Sequence, residues 1–243
     1  MNKQRKEIFM NAFILKIIMA ILMVFDHVAS VIGNAPIWFT WLGKLVAPIF
    51  FYLVVEGFFH TSNRKRYALR LYLWSITMFA GSALLSILVP SAPYIKNNIF
   101  LSLAHGVTML IGIDYIKTSK DYKKGLPLAI IFGILGLITE ASILGVLMFL
   151  IFYFCRDKKT LLSTVYVLVF TLLIVPISLN TGEGTVYEKL LLYDPQILMI
   201  FAVPFILLYN GERGPNNKFT KYFFYVFYPL HLWILAIIKA FMI

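Results

Sequence analysis

The sequence predicts an all-α, polytopic membrane protein of about nine transmembrane helices, within a range of seven to nine, with its N-terminus cytoplasmic and its C-terminus outside. Three observations predict it. Hydrophobic residues make up 60% of the 243 residues and charged ones only 14%, with a mean hydropathy of +0.84, against roughly half and about a quarter in soluble domains. The apolar residues fall in long uninterrupted runs that a water-facing helix does not tolerate. Lys and Arg concentrate in every second loop, which is the asymmetry that orients helices in a bilayer.

Tested against the roughly 20 residues that a helix needs to cross the hydrocarbon, the spans are about Ile8 to Ile32, Ile37 to Phe59, Tyr67 to Val89, Ile99 to Ile116, Leu126 to Ile138, Ala141 to Phe154, Leu161 to Leu179, Gln196 to Tyr209 and Tyr222 to Phe241. The first is not a cleaved signal, because it is too long, carries Lys16, Asp26 and His27, and is followed by further spans. The two middle runs meet at Thr139-Glu140 and are each short, so a re-entrant pair or one kinked, Gly-rich helix stands beside two crossings. Segments on the N-terminal side hold Lys3, Arg5 and Lys6, then Arg64, Lys65, Arg66 and Arg70, then the lysines between Lys117 and Lys124, then Arg156 to Lys159, then Arg213, Lys218 and Lys221. The other side holds mainly Lys44, Lys96 and Lys189, with Lys239 near the C-terminus. This alternation supports an odd number of crossings and a single transmembrane domain over residues 1–243, with no alignable repeat.

The formal charge of +11 would suggest nucleic acid in a soluble protein; here orientation explains it, and no nucleic-acid partner is expected. The one cysteine, Cys155, excludes an internal disulfide. No phosphate loop, HExxH or paired-cysteine metal site is present, and the four histidines show no ligand spacing, so no metal is assigned.

Ionisable groups inside spans are costly and mark interior or functional positions. Asp26 and His27 lie in the outward half of the first span, His105 near the middle of the fourth, Glu140 at the outer turn and His231 near the middle of the last. Glu56 lies in the inner half of the second, with His60 one turn later on the same face. Each also has a structural reading. Asp26 can pair with a cation on a neighbouring helix, His105 can serve helix packing, and Glu56 and His60 approach the hydrated boundary. Asp26 and His27 point about 100° apart around a helix, so a partner that orients His27 has to come from another helix.

The stretch from Leu15-Lys16-Ile17-Ile18-Met19 through Asp26-His27, followed by Leu42-Gly43-Lys44-Leu45-Val46-Ala47-Pro48, Val55-Glu56-Gly57 with His60-Thr61, and Tyr67-Ala68-Leu69-Arg70-Leu71, resembles the TraX family. The C-terminal Tyr209-Asn210-Gly211, Lys221-Tyr222-Phe223-Phe224-Tyr225 and Phe227-Tyr228-Pro229-Leu230-His231-Leu232 resembles the same family's last signature, in the same order along the chain. Between them, Asn97-Asn98-Ile99-Phe100 followed by Gly106 resembles its fourth-helix pattern. The family's Asp-Tyr-Gly is replaced by Glu140 in a different setting, and Lys44 stands where the family usually has Arg, keeping the charge without the planar fork. The first two helices are also similar to the wider transmembrane acyltransferase group, which includes the lysosomal heparan glucosaminide acetyltransferase.

The resemblance implies an integral acetyltransferase of the bacterial plasma membrane that takes acetyl-CoA as co-substrate from the cytoplasm and passes the acetyl group to an amine or hydroxyl at or beyond the outer face. The family default acceptor is the N-terminal amine of a pilin-type peptide; a glycan or lipid acceptor fits the same helices, with membrane lipid the other partner. On this reading the nucleotide phosphates sit near Arg64, Arg66 and Arg70, with Lys44, Glu56 and His60 also counted with the donor site. His27 is the general base, and Asp26, Tyr228 or His231 stabilises the developing charge. Two other classes compete: a small proton-coupled transporter, since intramembrane Asp, Glu and His also build proton relays, and a non-catalytic assembly partner of a secretion or pilus system.

Overall fold

The computed structural model describes residues 10–180 and 182–242; Lys3, Arg5, Lys6 and the start of the first span at Ile8 lie outside the described residues. Ten α-helices carry the chain: α1 (Ala12–His27), α2 (Trp38–Gly43), α3 (Val46–His60), α4 (Arg64–Leu88), α5 (Ile99–Ser119), α6 (Tyr122–Leu137), α7 (Ser142–Phe154), α8 (Lys159–Leu179), α9 (Val203–Leu208) and α10 (Lys218–Phe241). A π turn, Val28–Ile32, extends α1, and a 3-10 segment, Pro195–Ala202, leads into α9. Among the described residues the extended structure is one isolated parallel bridge, Met10 with Tyr209.

Nine helical segments therefore occupy the nine apolar runs. Among the described residues six of them are long and apolar enough to cross a membrane: Ala12–Ile32, Trp38–His60, Arg64–Leu88, Ile99–Ser119, Lys159–Leu179 and Lys218–Phe241. At 1.5 Å per residue the 25 residues of α4 reach about 37 Å, more than the roughly 30 Å of hydrocarbon. The runs expected to be short are short. α6 has 16 residues and α7 has 13, or about 24 and 20 Å. They are two helices that pack on each other, both also against α5, and not one kinked helix. α6 begins at Tyr122, four residues before the expected Leu126, because the Asp121 side chain accepts from Lys124 N–H at 3.2 Å and caps it.

Apolar side chains face both ways, as expected of helices solvated by lipid on one side and by each other on the other. Leu69, Leu73, Ile76, Phe79 and Ile87 of α4 are each at least half exposed. Phe51, Phe58, Phe100, Phe149, Phe152, Tyr166 and Phe170 are buried in the core. The loops richest in Lys and Arg meet at one end, called here the basic end: Arg64 at the start of α4 pairs with Asp114 late in α5, and Arg156 after α7 pairs with Glu56 late in α3. At the opposite end Trp41 Nε1 donates to Leu191 O at 2.7 Å, and Lys239 Nζ to Ile32 O at 2.9 Å. α1 and α10 both start at the basic end and pack side by side, which sets the frame for the site.

Candidate functional site

α1 buries Leu15, Met19, Met23 and His27, residues four apart along one stripe. α10 buries Tyr228, His231, Leu232 and Leu235. Where the stripes meet, His27 Nδ1 lies 2.6 Å from His231 Nε2, with the rings stacked at 4.9 Å between centroids, although the residues are 204 apart in the chain. His231 Nδ1 in turn lies 2.9 Å from Phe227 O. A carbonyl oxygen only accepts, so His231 Nδ1 carries the hydrogen and, in the neutral ring, Nε2 holds the lone pair. His27 Nδ1 must then donate to it. The tautomers assigned from this network leave His27 Nε2 as a free base. Pro229, two residues before His231, removes one N–H from α10, and α1 passes into its π turn directly after His27, a local widening frequent at functional positions.

Around the pair the remaining groups form two branches. Tyr228 sets its ring edge-on to His27, at 6.4 Å between centroids. Its hydroxyl accepts from Ile99 N–H at 3.3 Å and donates to Glu140 Oε2 at 3.5 Å. Glu140 also accepts from Asn98 N–H at 2.7 Å and Asn97 Nδ2 at 2.9 Å. The carboxylate thus closes the start of α5, where unpaired N–H groups and the helix dipole favour negative charge, and joins α5, the α6–α7 turn and α10. The second branch is Asp26. A Cβ built on Gly43 would come within 2.3 Å of the Asp26 side chain, so only glycine lets α2 approach this closely, and the charge of Lys44, the next residue, acts on Asp26.

The residues expected near the donor are distributed differently. Glu56 receives a two-point contact from Arg156, Nε to Oε1 at 2.8 Å and Nη2 to Oε2 at 3.1 Å. His60 Nδ1 donates to Glu56 O at 2.8 Å. Arg64 is held by Asp114 and lies over the Phe58 ring. Arg66 is exposed. The start of α4, with Thr61, Ser62, Asn63, Arg64 and Lys65, lines an open groove of about 470 Å³ with Ile111, Asp114 and Tyr115. Arg70 sits apart, over the rings of Tyr67 and Tyr225 at 5.6 and 5.9 Å. Lys44 is at the opposite end of the molecule from these, beside Asp26. Among the described residues no three His, Cys, Asp or Glu side chains are grouped to hold a metal ion.

The TraX protein family model matches residues 12–239. The chain belongs to the TraX family. This TraX chain is also 26% identical over 263 aligned residues to a probable fimbrial assembly protein, FimC of serogroup H1, from Dichelobacter nodosus, with 96% of this chain and 97% of that one covered. No solved structure matches.

Sequence reasoning passed over three features of this TraX chain. Asp114 and Arg156 neutralise residues counted with the donor site, and their only signal in the sequence is an acidic residue late in α5 and a basic one just after α7. Asn97 and Asn98 hold Glu140; Asn98 Nδ2 also donates to Ser75 O at 3.1 Å. The Tyr209-Asn210-Gly211 signature is a docking loop: Met10 N–H donates to Leu208 O at 2.9 Å, Asn210 N–H to Met10 O at 3.0 Å and Ala12 N–H to Glu212 O at 2.8 Å. His105, for which both readings were open, bonds the Tyr72 hydroxyl at 2.9 Å.

Proposed function

We propose that this TraX chain is an acetyltransferase of the bacterial plasma membrane, with the basic end in the cytoplasm, moving an acetyl group from acetyl-CoA to an amine near the outer face. The observation that carries this reading is the chain of hydrogen bonds from Phe227 O through His231 to His27, which holds a neutral imidazole with its Nε2 free at a buried position. A general base needs just such a fixed tautomer. His27 Nε2 takes the proton of the attacking amine as its nitrogen bonds to the thioester carbonyl carbon. When the C–S bond breaks, the same imidazolium returns that proton to the departing thiolate, so the balance closes without another reactant. His231, already an acceptor toward His27, delocalises the charge that His27 holds in between. Lys44 is the donor on hand for the oxyanion, and the Tyr228 hydroxyl, whose one hydrogen goes to Glu140 Oε2, joins it only by turning from that carboxylate.

The acceptor class is supported by the relative described as a probable fimbrial assembly protein: a fimbrial subunit offers a peptide amine outside the membrane. That name also favours one other reading, an assembly partner without chemistry. Purified protein given radiolabelled acetyl-CoA and a pilin-type N-terminal peptide separates the two. Free CoA and labelled peptide should appear with the wild type and be lost in His27→Ala. Wild-type protein that binds the subunit but neither binds nor cleaves acetyl-CoA would leave the assembly reading in place.

A further inference from the structure

The basic end contains two kinds of cation. Arg64 and Arg156 are paired with carboxylates. Lys16, Arg70 and Arg213 make no ion pair among the described residues, and they converge. The Arg70 guanidinium lies over the Tyr225 ring at 5.9 Å, and Arg213 lies within electrostatic reach of both Tyr225 and Lys16. The convergence is built by the fold. The loop from Tyr209 to Gly214 is bonded to the start of α1 through Met10 and Ala12, and Gly214 lies against Asn11, where a Cβ would meet the Asn11 amide at 2.7 Å. That docking carries exposed Arg213 to the start of α1, the turn that holds half-buried Lys16. Arg70 comes from α4, with its Nε buried and without a hydrogen-bond partner.

Cations that make no ion pair repel one another and lose hydration, a cost that an anion between them removes. Three donors of this type match a phosphate ester, which takes charge-assisted bonds from guanidinium and ammonium alike.

The spacing along α1 narrows the ligand. Lys16 and His27 are eleven residues apart, which places them about 16 Å apart along the axis and within about 20° on one face. A pantetheine arm joins diphosphate to sulfur through thirteen bonds, and at the ~3.5 Å per three bonds of an extended chain it spans about 15 Å. Small Ala20 and flexible Met23 are the residues of that face in between.

We propose that Lys16, Arg70 and Arg213 bind the diphosphate of the acetyl-CoA, with the arm running along the α1–α10 seam to His27. Arg64, held by Asp114, does not bind it. This rests on the acetyltransferase reading. It turns the exposed loop of the Tyr209-Asn210-Gly211 signature into part of a donor site.

The test uses the full chain in nanodiscs of phosphatidylcholine, with CoA and S-acetylpantetheine, which lacks phosphate, as the two probes. CoA affinity should fall about tenfold or more in Lys16→Gln and in Arg213→Gln, while acetyl transfer from S-acetylpantetheine stays at the wild-type rate. Arg64→Gln should leave CoA affinity unchanged. Arg213 is exposed, so its variant is expected to fold, and equal gel-filtration profiles check this. CoA binding that Lys16→Gln and Arg213→Gln leave intact overturns the site while the acetyltransferase stands. Wild-type protein that neither binds CoA nor turns over S-acetylpantetheine overturns both. A Lys16 and Arg213 dependence that appears only for phosphatidylglycerol added to the discs, not for CoA, overturns the assignment in favour of a lipid headgroup.

Discussion

The two ends of the molecule handle buried polarity in opposite ways. At the basic end Glu56 and Asp114 are closed off by Arg156 and Arg64, so charge is cancelled by charge and little valence is left over. At the other end His27 and His231 are neutral partners in a chain that terminates in a lone pair, and Tyr228 and Glu140 brace it from the side. A closed ion pair fixes helices, and a hydrogen-bond chain with a free end can exchange a proton. The difference teaches that an ionisable residue in a span signals function through the valence it leaves open more than through its presence. Lys16, Arg70 and Arg213 are informative for the same reason.

The largest effect that sharpens this contrast is at His27. In His27→Gln the amide still reaches His231 but cannot act as a base, and CoA release should fall by about 10²–10⁴-fold with the thermal midpoint little changed. His231→Phe should lose most of the same factor, because residues that act as one unit are not additive. The double variant should be no slower than His27→Gln alone. A double variant that is slower by the product of the two single effects would break the relay.

Glu56→Ala tests the basic end. It takes the two-point partner from the part-buried Arg156 guanidinium, leaving it over the Phe59 ring with Asp157 at 4.0 Å, and should cost about 3 kcal/mol of unfolding free energy in detergent, as breaking a part-buried, charge-assisted pair does. Glu56→Leu with Arg156→Leu should recover most of that, because no charge is left buried. A smaller loss, about 1–3 kcal/mol, is expected of Gly43→Ala from overpacking against the Asp26 Cβ and carboxyl; pairing it with Asp26→Gly, which removes the Cβ as well, should relieve the clash and give a non-additive cycle.

How far these sites were legible from the chain follows the range of the physics involved. Span positions depend on local apolar content, and the expected bounds agree with the helices to within a few residues; α8 at Lys159–Leu179 against Leu161 to Leu179 is one case. The α6–α7 turn was legible as a problem of length. His27, His231 and Asp26 were legible as costly residues, and Lys44 as a basic residue of the outer side and of the family's motif; their groupings were not. The separation of 204 positions between His27 and His231 holds no periodic signal, and the fit of Asp26 to Gly43 is visible only once α2 is placed. Asp114 and Arg156 sit at helix ends near the boundary, where hydration makes a charge cheap, so nothing in the sequence marked them as partners of Arg64 and Glu56. The docking of Tyr209 to Gly214 onto α1 rests on backbone bonds, which side-chain identity encodes only through its glycines.

The smallest effect is also at the basic end, where Asp121 caps α6. Its carboxylate accepts from Lys124 N–H at 3.2 Å and pairs with Lys124 Nζ at 3.2 Å. These bonds, the backbone N–H foremost, hold the carboxyl below the usual aspartate range. A carboxylate with a depressed folded-state pKa adds stability above its unfolded value, near 4, and loses it as the pH falls through the lower folded value. Asn at this position still caps a helix, so Asp121→Asn removes only the charged part. The variant should therefore melt slightly below the wild type at pH 7, and the gap should close as the pH is lowered past 4. A gap that stays constant down to pH 3 would mean that Asp121 contributes through cap geometry alone. In that case its link to Lys124 would differ from the closed pairs of Arg64 and Arg156, where the charge itself matters.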